Sequence, residues 1–245
     1  FFMKRFIYIR YELLRTLRNR RFLIFSLIFP LILFLAIAGP NKNAVEGGIS
    51  LPLYFMTGMA AWGSMNAVIS SGARIAAERQ VGWTRQMRIT PLKPSAYFSA
   101  KILSGYMMAL FSIGVLAIAG SIVGVRLDAA QWLTMLGLLL VGLIPFAVMG
   151  IMLGHLVTVD TLGPTIGGLT SLLALLGGAF GPLVSSGALS TVVKLLPSYW
   201  LVQAGKSALG GANVWPAQAW IVIAAWTVVL SRVSVRVFKR DTSRV

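Results

Sequence analysis

Six stretches of this 245-residue chain contain no Asp, Glu, Lys or Arg: 22–41, 47–73, 102–125, 129–159, 161–193 and 207–231. Each is at least as long as the roughly 20 apolar residues that a helix needs to cross the hydrocarbon of a bilayer. A soluble core could hide one such helix, but not six. Lipid offers backbone amides no partners, so a crossing segment closes its own hydrogen bonds as a helix, and an open sheet is excluded. Composition agrees, with 57% hydrophobic residues, 11% charged residues and a mean hydropathy of +0.82. The expected fold is an all-α membrane protein with six transmembrane helices, at about 22–38, 51–73, 97–123, 132–157, 165–183 and 215–235.

The net charge of +16 could suggest nucleic acid, but its distribution points to lipid. With a cytoplasmic N-terminus, the inside segments carry 7 cations up to Arg21, 6 from Arg74 to Lys101 and 5 from Arg232 onward. The outside segments carry only Lys42, Arg126, Lys194 and Lys206. This is the positive-inside asymmetry, and it places both termini in the cytoplasm of a multi-pass protein, with the cations near anionic headgroups and no nucleic-acid partner. Residues 1–21 form a separate unit ahead of the spans in 22–245. Phe6, Ile9, Leu13, Leu14 and Leu17 share one helical face, with Lys4, Arg5, Glu12, Arg15 and Arg18 mostly opposite, as in a helix lying in the membrane interface. Arg10 intrudes on the apolar face and has to snorkel.

Two stretches break the apolar pattern. Residues 74–101 set six cations against the single anion Glu78, with Gly82, Pro91 and Pro94 as punctuation. They read either as a short helix on the cytoplasmic membrane face or as a basic loop that only fixes topology. Residues 185–213 are too broken for a span and too apolar for a free loop. Two short helices meeting at Pro197 fit, either re-entrant or lying as an amphipathic hairpin at the interface.

Other signals carry little chemistry. Gly205-Lys206-Ser207 resembles the end of a phosphate-binding loop, but Trp200 stands where that loop needs a glycine. His155 is the sole histidine and there is no cysteine, so neither a metal site nor a disulfide is expected. No Ser-His-Asp set or carboxylate pair suggests catalysis by this chain.

Glu78-Arg79, Gly82, Arg88 and Thr90-Pro91, with Lys101 beyond, resemble the signature of the first cytoplasmic loop of ABC-2 type permeases. Those proteins are the membrane subunits of bacterial ATP-driven exporters. Trp83-Thr84-Arg85 departs from the usual Thr-Leu-Glu, so a cation replaces an acid. Gly178-Ala179-Phe180-Gly181-Pro182 and Leu196-Pro197-Ser198-Tyr199-Trp200 are similar to the family's fifth-span end and re-entrant segment.

The resemblance implies an N-terminal elbow helix, a re-entrant helical pair before span 6 and a bacterial inner-membrane location. It implies two ATPase subunits carrying the ATP and Mg, no cofactor on this chain, and a second permease copy or paralogue. It also implies export of a hydrophobic or amphipathic substrate such as a drug, antibiotic or lipid-like molecule. Glu78, Arg79, Gly82, Trp83, Arg85, Met87 and Arg88 would couple to the ATPase, while Tyr199 and Trp200 would line the substrate exit. An ATP-independent transporter or channel, and a non-transporting assembly factor, are the alternatives.

The natural absence of cysteine makes the topology directly testable. Cysteines placed at Asn43 and Gly211 should react with an impermeant thiol reagent in intact cells, and one at Gln86 should not. Labelling at Gln86 would reverse the assigned orientation.

Overall fold

A computed structural model describes residues 10–12, 14–16, 18, 24–46, 49–82, 94–181, 188–207 and 215–242. Residues 10–12 and 14–16 are helical. A π-turn, Ile24–Ile28, leads into α1, Phe29–Ala38. Pro30 explains the irregularity: it has no N–H to offer the Ser26 carbonyl, which accepts the Ser112 hydroxyl at 3.1 Å instead. A two-residue hairpin, β1 Val45–Glu46 and β2 Ile49–Ser50, precedes α2, Leu51–Ala73. Then follow α3 Ile75–Gln80, α4 Pro94–Val123, α5 Ala129–Gly142 and α6 Ile144–Leu156. The last four helices are α7 Val159–Gly177, α8 Ala188–Val193, α9 Pro197–Lys206 and α10 Ala217–Thr242.

The bundle is organised around α2, in which 18 of 23 residues are buried. Small residues make this possible. Glycines and alanines let neighbouring backbones approach, while Ser64, Ser71 and Thr57 turn their hydroxyls to nearby carbonyls. The tightest crossing is with α6, where a Cβ at Gly150 would lie 2.5 Å from the Ile69 carbonyl oxygen and one at Gly72 would lie 2.6 Å from the Gly150 carbonyl carbon. The two backbones are in direct contact, the geometry that small-xxx-small spacings permit.

Four helical segments are long and apolar enough to cross a membrane: Ser95–Val123, Ala129–Leu156, Val159–Gly177 and Ala217–Arg240. The second combines α5 and α6, which part at Leu143 just before Pro145. The expected six spans are therefore met in part. The apolar helix Ser26–Ala38 is shorter than a span, and α2, though 23 residues long, is not among the four. Its serines, threonine and asparagine lower its hydropathy, and burial by its neighbours gives them protein partners. Large apolar side chains stand exposed on the outer helices, including Leu103, Phe111, Ile118 and Ile122 on α4 and Ile221 and Val229 on α10. Water would penalise such a surface, and lipid does not.

Boundaries shift for local reasons. The fifth apolar helix begins at Val159, not about residue 165, because Pro164 is accommodated within its first two turns. It ends at Gly177, where Gly178 turns left-handed and the Gly178 and Ala179 N–H groups bond the Leu175 and Ala174 carbonyls. Two short helices, α8 and α9, do part just before Pro197, which starts α9.

The α2–α6 contact gives a paired test. Gly150→Ala should lower the thermal stability of the detergent-solubilised chain by about 1–3 kcal/mol. Gly137→Ala, where a Cβ meets nothing within 4 Å, should leave it unchanged or raise it.

Candidate functional site

At the α3 end of α2, charged groups from three separate parts of the chain meet in the interior. The N-terminal helical residues supply Glu12 and Arg15, α3 supplies Glu78, and the first turns of α4 supply Tyr97 and Lys101. Lys101 is fully buried, and its Nζ lies 2.6 Å from Glu12 Oε1 and 2.6 Å from Glu78 Oε1. Arg15 Nη1 donates to Glu78 Oε1 at 2.7 Å, and the Tyr97 hydroxyl donates to Glu78 Oε2. Beside them, Arg74 Nη1 donates to Thr16 Oγ1 at 2.6 Å.

Two carboxylates and two cations balance, and that balance makes the burial tolerable. Each ion taken from water costs several kcal/mol, which only close opposite charges and full hydrogen bonding can offset. Burial alone would raise the Glu78 pKa, but Lys101, with Tyr97 and Arg15, holds its carboxyl below the usual carboxylate range. The group therefore stays ionised. Removing one member would strand its partners, whereas retaining all of them ties the N-terminal helix, α3 and α4 together.

The neighbouring residues fix α3 from its other sides. Arg79 Nη1 donates to the carbonyls of His155 at 2.7 Å and Gly154 at 3.2 Å, placing a cation at the C-terminal end of α6, where the helix dipole favours one. His155 itself packs between Phe98 and Phe238, with ring centroids 6.2 and 5.5 Å away. The helix stops at Gln80: Gly82 adopts φ +72°, and its N–H bonds the Arg79 carbonyl. Gly82 thus acts as the punctuation expected of it, because a left-handed residue ends the α-helical ladder.

Of the seven residues expected to couple, Glu78, Arg79 and Gly82 are brought together here. Trp83, Arg85, Met87 and Arg88 lie outside the described residues. Glu78 is 2% exposed, so its carboxylate faces the interior and not a partner surface. Val81, 73% exposed, is an apolar side chain presented at this tip.

Tyr199 and Trp200 sit on α9, away from this cluster. Trp200 is buried against Ala219, Val222 and Ile223 of α10, and its indole N–H donates to the Lys194 carbonyl at 2.8 Å. Its own carbonyl accepts the Trp215 indole N–H at 3.0 Å. The indole is thus committed to holding α9 against α10, while Tyr199 is half-buried beside it.

Sequence reasoning placed Glu78 at the centre but missed Glu12 and Tyr97 and gave Lys101 no partner. Two signals were available. Glu12 is the one acid among the first 21 residues, and Tyr97 and Lys101 stand four apart, on one face of a helix.

The profile of the family described as ABC-2 type transporter matches residues 5–209. A protein of Bacillus subtilis (strain 168) named "Putative transport permease YvfS" is 29% identical over 209 residues, covering 83% of this chain and 85% of its own.

The buried cluster predicts a stability pattern with a definite sign. Lys101→Met should cost about 3–5 kcal/mol by leaving the two carboxylates with Arg15 as their one remaining cation in the cluster. Adding Glu12→Gln and Glu78→Gln should recover part of that loss. Because the folded pKa of Glu78 is depressed, its contribution is present above the ordinary value of 4.5 and is lost as pH falls through the lower folded value. Melting curves recorded at neutral and acid pH should show the wild-type acid limb flattened in Glu78→Gln.

Proposed function

Since the chain belongs to the ABC-2 type transporter family, we propose that it is the permease subunit of an ATP-driven exporter, working as a pair with a second permease and two separate ATPase subunits. On this reading the substrate is hydrophobic or amphipathic and moves outward. Six membrane crossings, with the N-terminal helix as an elbow and α8–α9 as a re-entrant pair, complete the topology.

The observation that carries the proposal is the near-continuous rod formed by α2 and α3. Only Arg74 separates them, and it keeps helical backbone angles: its N–H bonds the Ser70 carbonyl, and the Glu78 N–H bonds the Arg74 carbonyl. From Leu51 to Gln80 the rod is about 45 Å long, at 1.5 Å per residue. A displacement of the segment after Gly82 is transmitted along it to the far end of the bundle. The Glu12–Lys101–Glu78 cluster locks the near end of the rod to the elbow and to α4, so those elements move with it. Glu78 is then a positioning residue that acts through the lever, while the exposed tip around Val81 and the segment beyond it meet the ATPase.

Aromatic contacts along the rod suit an apolar substrate. Trp62 of α2 packs edge-on against Phe29 of α1 at 5.6 Å and Phe180, beyond α7, at 5.1 Å. Among the described residues its buried indole N–H has no hydrogen-bond partner, so it can donate to an acceptor on a passing molecule.

The test is to purify the native complex and follow ATP hydrolysis with and without substrate. An ATPase subunit should co-elute. Glu78→Gln and Gly82→Leu should each lower substrate-stimulated hydrolysis and export by about tenfold or more, a loss of roughly 1.4 kcal/mol in coupling. Basal hydrolysis should be retained, and the loss should exceed any fall in permease abundance measured in the same membranes. If both variants co-elute with the ATPase and export at the wild-type rate, the lever has no coupling role.

A further inference from the structure

The end of α2 opposite the charge cluster holds a further, half-buried cation, and among the described side chains no acid partners it. Lys206, the last residue of α9, donates from Nζ to the Tyr54 hydroxyl at 2.9 Å and lies 4.2 Å from the centre of the Tyr54 ring. Tyr54 in turn donates to the Gly178 carbonyl at 3.1 Å. Among the described side chains no carboxylate pairs with Lys206. Burial pushes its ammonium down to a pKa of about 8, still protonated at neutral pH. An ammonium has three donors, and Tyr54 takes one.

The placement is built by backbone contacts. A Cβ at Gly205 would lie 2.8 Å from the Thr57 carbonyl oxygen, so α9 touches the backbone of α2 and the next residue, Lys206, reaches Tyr54 one turn away. Gly58 meets the Ala179 carbonyl more closely still, which brings Gly178 to the same tyrosine. Tyr54 and Glu78 are separated by about 36 Å of near-continuous helix, comparable to the hydrocarbon thickness. Where α2 crosses the bilayer, as the transporter reading has it, the two charged sites lie at the two membrane interfaces, where headgroups are found. Tyr199, Trp215 and Trp220 on the adjoining segments are residues that favour that depth.

We infer that Lys206, held on Tyr54, receives the anionic head of an amphiphile, a carboxylate or a phosphate, whose tail lies in the apolar phase. As a statement about cargo this rests on the transporter reading, and it narrows the substrate class to amphiphiles with an acidic head. As a statement about binding it stands independently, and an anionic lipid headgroup would satisfy the same chemistry.

The experiment titrates dodecyl phosphate onto the purified chain in zwitterionic phosphatidylcholine nanodiscs, read by thermophoresis, so that neither ATPase nor turnover is needed. Dodecyl phosphate should bind saturably, and neither dodecyl maltoside nor inorganic phosphate should compete. Lys206→Gln should weaken binding about tenfold, the loss of one charge-assisted contact, while Lys206→Arg should stay within about threefold of wild type. Repeating the titration with phosphatidylglycerol in the disc separates the sources. Weakened apparent affinity in wild type alone identifies a lipid headgroup, and unchanged affinity identifies a soluble amphiphile. Both outcomes support the site. Undiminished binding by Lys206→Gln, with only a lower melting temperature, would make Lys206 a counter-charge for helix ends and overturn the inference. Equal competition by inorganic phosphate would overturn the amphiphile. Should Lys206→Gln fail to fold, Tyr54→Phe decides the matter in the same assay by weakened or unchanged binding. Loss of export coupling in the separate ATPase assay leaves this result untouched.

Discussion

Lys101 places a full positive charge in the interior, and much of this bundle's end depends on how that charge is met. Its ammonium touches Glu12 and Glu78 at equal distances, and Arg15 and Tyr97 complete the coordination of Glu78. A buried ion is tolerable only while every partner is present, so the cluster enforces one relative position of the N-terminal helix, α3 and α4. An apolar contact of similar area would allow the helices to slide. Paired charges with fixed hydrogen-bond directions do not.

That constraint matters because of what α3 is attached to. It continues α2 with only a helical arginine between them, and α2 is the element about which the other helices are packed. The backbone contact at Gly72 and Gly150 holds the rod to α6, while Arg79 grips the carbonyl end of that helix. At the opposite end, Gly58 and Gly205 bring the α7 terminus and α9 onto the same rod. The rod is thus fixed by charge at one end, by close backbone packing along its length, and by a lysine held on a tyrosine at the other. Such an element transmits displacement well, since neither its contacts nor its hydrogen bonds stretch gradually.

Where the sequence was legible, the signal was local. The charge-free runs mark the apolar helices, and the limits of α2 coincide with those expected for residues 51–73. Pro197 was readable as the start of a helix because its ring suits a first turn. Gly82 was readable as a punctuation point, and it does end α3. Pro164 misled, since a proline near a helix start looks the same in sequence as one that ends a turn.

The chain's own order of residues decided that it is helical and that its apolar surface belongs in lipid. These follow from hydropathy and from the backbone's need to close its hydrogen bonds. Only the tertiary structure decided which charges meet. Lys101 is 89 residues from Glu12 and 23 from Glu78, and no periodicity links them. It also decided that Glu78 looks inward, that Trp200 is a packing residue, and that Lys206 is held on Tyr54. In each case the physical reason is the same. The meaning of a polar side chain is set by its burial and its partners, and both are supplied by segments far away along the chain.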